Sequence, residues 1–248
     1  DAFFKALNYI YISQYDNGGW PQFYPYRKGK SVAYSRDITF NDGAIVNVLK
    51  LLYAISDDDK PYVIFNFTPE EKAKALEAYK KGIQCILDTQ IRNKKGELTV
   101  WCAQHDPETL KPAKARAYEL ESYSGDESAD IVLLLMKVEN PSPEVIAAVK
   151  GAVKWFEEHK ITDTKYVRYR DENDKWVAYI EYEKGAKPLW ARFYDLETEQ
   201  PFFCDRDGIK RATLAEVGEE RRGGYSWYND EGNEVLEKYA EWIKKIGK

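Results

Sequence analysis

Gln14-Tyr15-Asp16-Asn17-Gly18-Gly19-Trp20-Pro21-Gln22 is the stretch on which the fold turns. It places Gln at the end of a helical pattern, then a Gly-Gly turn, a Trp and a second Gln. A looser echo follows at Gln90, Gly96, Trp101 and Gln104. Recurrence of one helix, turn and aromatic unit suggests helical hairpins stacked around an axis, because a single hairpin leaves its apolar face uncovered. The blander alternative is two unrelated helix ends, each stopped by a glycine. The sharper reading is an α/α toroid, so the expected class is mainly α with long coils and a short β-hairpin.

Apolar periodicity working outward from that stretch predicts about six helices. The first covers roughly 2–14, and the second runs from about Asp42 to Ala54 with Ile45, Val48, Leu49 and Leu52 in one stripe. Thr68-Pro69-Glu70-Glu71 reads as an N-cap, a Pro and two acids opening a third helix that continues to about Ile91. Ser124-Gly125-Asp126-Glu127 has capping-box spacing before a fourth, which carries Ile131 to Met136 and is apolar all round, hence central. The fifth runs from Ser142-Pro143-Glu144 to near His159, and the sixth spans about 234–246. Only 166–182, two β-rich runs around Asp171 to Lys175, reads as a hairpin. No linker or change of composition divides the chain, so residues 1–248 are read as one domain. The coils at about 15–41, 92–123 and 183–233 are where function is expected.

Composition narrows the partners. Aromatic residues make up 15% of the chain, 19 of them Tyr, which suggests partly wetted clefts rather than a wholly dry interior. With 37 Lys and Arg against 42 Asp and Glu, the net charge of −5 lacks the basic footprint of a nucleic-acid binder. No apolar run reaches transmembrane length, so no membrane partner is expected. Cys85, Cys102 and Cys204 fit no zinc spacing and exclude a disulfide scaffold, though not one bridge.

Only two histidines occur and no Ser stands in a nucleophile elbow, which argues against a His-based hydrolase. Nucleotide-binding glycine loops are absent as well. What remains is chemistry by Asp, Glu, Arg and Lys, with or without a hard metal ion. Four coil segments concentrate such residues. Gly18 to Pro25 sets Trp20, Phe23 and Tyr24 beside Gln22 in a stiffened loop. Ile38 to Ala44 holds an Asn41-Asp42 pair at a helix start, where the simplest reading is an N-cap. Lys111 to Glu119 puts Lys111, Lys114 and Arg116 among small residues, either a solvated face or an open substrate floor. Pro188 to Gly208 embeds Arg192 and Arg206 among aromatics, company that favours recognition of anions by planar guanidinium forks.

These segments resemble the family-10 polysaccharide lyases, pectate lyases that cut polygalacturonate by calcium-assisted β-elimination. The resemblance runs through nearly the whole chain in the family's order: GGWPQFYP, ITFNDGA, the Ala-Arg-Ala-Tyr-Glu stretch, SGDES, WARFYDLE and PFFCDRDG. It implies an α/α toroid, a Ca2+ cofactor and an anionic polysaccharide partner. Residue by residue it implies that Asp42 belongs to the calcium and substrate site, that Arg116 is the base, and that Arg192 and Arg206 hold uronate carboxylates. The chemistry is consistent with those choices. Removing the C5 proton of galacturonate builds charge on the adjacent carboxylate, which a hard cation stabilises. An arginine base is awkward because guanidinium normally stays protonated, and Lys114 is the rival base or a substrate contact on residue chemistry alone. Trp20, Tyr24 and Trp190 are expected as sugar-facing platforms, with a place in the core as the alternative for each.

The resemblance also implies an acidic segment upstream of the Gly-Gly-Trp loop that has no counterpart before Gly18, so the module is expected to lack an N-terminal piece and its metal site to be incomplete. A secreted or periplasmic monomer is expected. The alternative function is a non-catalytic uronate-binding protein, a decayed or truncated lyase. A remoter one is an isoprenoid cyclase or prenyltransferase, whose Gln-Trp repeats are similar to Gln14 to Trp20. That reading lacks a metal-diphosphate cluster, since Asp57-Asp58-Asp59 reads as a solvated loop after a helix.

Overall fold

The computed structural model describes residues 1–57 and 60–247; the Asp58 and Asp59 of the expected solvated loop lie outside them. The chain is mainly helical. Among the described residues seven α-helices follow in order: α1 (Ala2–Ser13), α2 (Ala44–Ser56), α3 (Pro69–Thr89), α4 (Glu127–Leu135), α5 (Pro143–Glu158), α6 (Glu219–Gly224) and α7 (Gly232–Ile246). The hairpin pairs Thr164–Arg170 with Trp176–Tyr182 in antiparallel register, and the other strands are two-residue ladders that tie coils together. The short α6 is an addition to the six expected helices, because six residues with two acids, two arginines and two glycines carry no apolar period.

Local chemistry explains most boundaries. Thr68 caps α3 in a full capping box with Glu71, behind Pro69. Ser142 caps α5 by accepting from the Val145 amide. Two expected caps are corrected. The Ser124 hydroxyl donates to the Glu127 carboxylate rather than accepting a helix amide, because Ser124 is held in a two-residue ladder with Phe193. Nor does Asn41 or Asp42 cap α2. The N-cap is Gly43, at φ 67°, and Asp42 itself sits at φ 52° in a tight 3-10 turn, so α2 begins at Ala44.

The repeat heard in the sequence is written in hydrogen bonds. Gln14 donates to Gly18 O at 3.0 Å and to Ala78 O of α3 at 2.9 Å. Gln90 donates in the same way to Thr99 O at 2.7 Å and to Ala148 O of α5 at 2.9 Å. Four residues before each Gln, a carbonyl accepts the indole N–H that follows: Trp20 on Ile10 O at 2.9 Å, Trp101 on Ile86 O at 2.7 Å. A further copy escapes the sequence pattern. Trp190 donates to Phe156 O at 3.0 Å, with Lys160 where the glutamine would stand and the hairpin inserted before the tryptophan. Each unit therefore runs helix, tryptophan loop, helix: α1 to α2, α3 to α4, and α5 to α7. The turn in the first unit needs glycine at Gly18, where φ is 88° and a Cβ would lie 2.0 Å from Lys81 O.

Burial follows. The second helix packs against α3, and α4 touches α2, α5 and α7. As expected for the central helix, α4 leaves only Asp130 exposed among its residues. Trp101, Trp155, Trp190 and Trp227 are fully buried. The three cysteines are buried and free, so the bridge left open by the sequence does not form.

Candidate active site

The ladders that close each unit deliver the polar residues. Ile38 and Thr39 pair with His105 and Gln104, which brings the turn bearing Asp42 beside the loop bearing Arg116. Gln22, Tyr34, Asn41, Asp42, Gln104, Arg116 and Glu119 together line a polar cleft of about 170 Å³. Gln22 and Gln104 are the trailing glutamines of the two sequence repeats, so the recurrence builds the cleft as well as the frame.

Arg116 is clamped. Its Nε donates to Glu119 Oε2 at 2.7 Å, a terminal nitrogen reaches the other oxygen, and its backbone amide meets Oε2 at 3.2 Å. Glu119 is buried and also accepts from the Tyr225 hydroxyl at 3.1 Å. The hydrogen-bonded Glu119 raises the proton affinity of Arg116, more than burial lowers it. On the Glu119 side burial pushes the carboxyl up, but the Arg116 pair outweighs it and keeps it below the usual range. Lys114 is exposed and makes no ion pair among the described residues.

Asp42 stands at the border of a second, acidic cleft of about 150 Å³ that it shares with Asp126, Glu127, Asp130 and Glu231. Its side chain is 84% exposed, and Asn41 donates to it at 2.6 Å. Arg192 is buried behind these acids, 2.8 Å from both Asp126 and Glu127 and 3.9 Å from Asp42. Burial disfavours the Arg192 charge, yet Glu127 and its neighbours outweigh that and hold it protonated. At Glu127 burial wins over Arg192 and the carboxyl is pushed up. Both directions are consistent with one buried cation serving several acids. Glu231 is exposed as a residue, but burial of its carboxyl first and Asp126 second push it up to about 8.

The acids that share this cleft with Asp42 offer carboxylate oxygens, the kind of ligand a hard divalent cation takes. Among the described residues, however, no three His, Cys, Asp or Glu side chains converge closely enough to hold a metal. Asp42 is thus one fitting carboxylate rather than a closed site.

The remaining expected residues separate. Arg206 is exposed and bound by both ends to Glu220, at 2.9 and 2.7 Å, with its guanidinium 5.7 Å from the Tyr118 ring. Two of the three residues read as sugar platforms or core take the core alternative. Trp190 is 0% and Trp20 5% exposed, and their indole N–H groups are spent on helix carbonyls, so both belong to the repeat's frame. Tyr24 is half-buried, beside Tyr9 and Tyr26 on the side of α1. Sequence reasoning misses the carboxylates that pair the arginines, and it misses Arg221 and Tyr225. Asp126 and Glu127 look like helix-capping residues in the sequence. The signal available for Arg221 and Tyr225 is only a basic pair running into Gly223-Gly224-Tyr225-Ser226-Trp227.

The chain belongs to the pectic acid lyase family, whose sequence model matches residues 1–236. It is a polysaccharide lyase of that family. In structure it is similar to a family 10 polysaccharide lyase from Cellvibrio cellulosa, with 36% identity and a TM-score of 0.85 over 96% of this chain and 71% of that one. A mutant of that lyase in complex with trigalacturonic acid matches with the same identity, coverage and TM-score. Among curated proteins, none matches the chain.

Proposed function

We propose that the protein is a pectate lyase that cuts polygalacturonate by β-elimination with calcium as cofactor and Arg116 as the base, on an α/α toroid. The observation that carries the reading is the convergence of Asp42, Arg116 and Glu119 on one cleft, with Arg192 3.9 Å behind Asp42. The trigalacturonic acid complex of the similar Cellvibrio lyase supports a polygalacturonate substrate. Three helix, tryptophan and helix units, with Gln14 and Gln90 each reaching the next unit's leading helix, support the toroid.

Calcium bound at Asp42 and the substrate's own carboxylates would neutralise the charge that develops as the C5 proton leaves. Arg192 and Arg206 orient uronate carboxylates, exchanging part of their contacts with Asp126, Glu127 and Glu220 for the substrate. A guanidine nitrogen of Arg116 takes the C5 proton. The electron pair left behind forms the C4–C5 double bond, the C4–O bond breaks, and the leaving oxygen is protonated from solvent. Glu119 fixes the direction of Arg116 but also holds its proton, so the neutral form requires that pull to be offset by positive charge in the cleft. Lys114, exposed and outside that cleft, is a weaker candidate for the base.

The chain is proposed to act as a secreted or periplasmic monomer; among the described residues no helix is long and apolar enough to cross a membrane. The test is ultraviolet absorbance of the unsaturated product after incubation with polygalacturonate and calcium, with chelator as control. Chelator-sensitive product supports the reading. Calorimetric binding of trigalacturonate without product would instead support the uronate-binding alternative.

A further inference from the structure

Among the described residues, Arg221 is the one buried arginine that has no carboxylate partner. It lies in α6, is 5% exposed, and its Nε and one terminal nitrogen are buried without a hydrogen bond. Leaving a buried cation unpaired is costly, so its neighbours must explain why it is held there. They are ring faces: the guanidinium lies 3.5 Å from the Tyr118 centroid, 3.7 Å from Tyr225 and 5.4 Å from Trp227. Cation–π attraction is strongest for such a desolvated guanidinium.

Both close rings lead to the cleft. The Arg116 guanidinium is 5.0 Å from the Tyr118 ring, and the Tyr225 hydroxyl donates to Glu119. The hairpin holds the other side in place. Arg168 donates to Gly223 O at 3.0 Å, Tyr166 to Tyr225 O at 3.3 Å, and a Cβ at Gly223 would lie 2.1 Å from Trp176 O. The hairpin, which the lyase reading leaves without a task, thus pins the short helix from which Arg221 projects.

We propose that Arg221 is a positioning residue: wedged between Tyr118 and Tyr225, it fixes the two rings that carry the Arg116–Glu119 pair and so sets where Arg116 meets the substrate. This rests on the reading of Arg116 as the base. Arg221 does not line the cleft that Arg116 and Glu119 share, and both faces of its guanidinium are taken by the Tyr118 and Tyr225 rings, so substrate affinity should not depend on it. Displacement of a catalytic group by as little as an ångström is enough to slow chemistry strongly.

The test compares R221M, which removes the charge at similar length, with R221K, which keeps the charge but loses the flat stack. For R221M, kcat is expected to fall on the order of 10- to 100-fold, with KM and trigalacturonate affinity within about twofold of the parent and R221K intermediate. Nitrogen-15 spectra of the folded proteins should also show the Arg116 Nε–H signal displaced in R221M without any substrate. An unchanged kcat together with an unmoved Arg116 signal overturns the proposal. So does a loss confined to KM and affinity, which would make Arg221 a substrate contact. If the parent protein makes no product, the lyase reading fails by itself and the Arg116 signal alone decides the role of Arg221. If R221M does not fold, R221K decides on the same measurements.

Discussion

Acid should loosen this protein through one buried imidazole. His105 is fully buried in the ladder that joins the Asp42 segment to the Arg116 loop. Its Nε2 accepts from the Cys102 amide at 3.2 Å, and its Nδ1 lies 2.9 Å from Leu110 O, which fixes the neutral tautomer with the proton on Nδ1. Phe40 meets the ring edge to face at 5.5 Å. Burial lowers the proton affinity from the usual 6.5 to about 4, and the Leu110 carbonyl only partly restores it. The folded state is therefore the poorer proton acceptor. Its stability from this residue is fully present above pH 6.5 and drains away as pH falls towards about 4, below which the loss is complete. The gap corresponds to about 3 kcal/mol, a large share of a typical folding free energy. Urea unfolding across this range should show the parent losing about 3 kcal/mol more than His105→Gln, whose amide can accept and donate without titrating. Because other carboxylates titrate in both proteins, the informative quantity is the difference between the two slopes. Proton NMR supplies the refutation: if the His105 ring titrates near 6.5 in the folded protein, or the two slopes coincide, burial does not hold this imidazole neutral.

Further outcomes follow from the same geometry. Arg116→Ala should abolish product formation while calorimetry still shows trigalacturonate binding, whereas Lys114→Ala should keep turnover; the reverse pattern would make lysine the base. Asp42→Asn preserves a residue tolerant of the left-handed backbone, so thermal unfolding should change by less than about 0.5 kcal/mol while calcium-dependent turnover falls sharply. Trp190→Ala should cost about 3–5 kcal/mol in urea unfolding, since the indole is wholly buried, and the folded fraction should keep its affinity for trigalacturonate.

Elements with strong local signals are legible in the amino-acid order. The capping box at Thr68, the Pro143 helix start and the all-apolar run of α4 depend on neighbours in sequence, and each forms where expected. The first two tryptophan repeats are audible because their glutamines survive. The third is silent, since Lys160 replaces the glutamine and the hairpin separates it from Trp190. Asp42 and Arg116 stand out by type and motif, and the fold brings them to one cleft.

Adjacent residues were thus enough to give the mainly helical class, the family and the polar residues that lie in coils, because periodicity, caps and motif strings are local properties. The partners of those residues came from the folded chain. Trp20 and Trp190 turn inward because a helix carbonyl waits for each indole N–H. Arg116 takes a carboxylate from its own loop and Arg206 one from α6, while Arg192 takes Glu127 from 65 residues away and Arg221 acquires none among the described residues. Pairing and burial set the charge state of an arginine, and both depend on groups that come together only when the chain is folded.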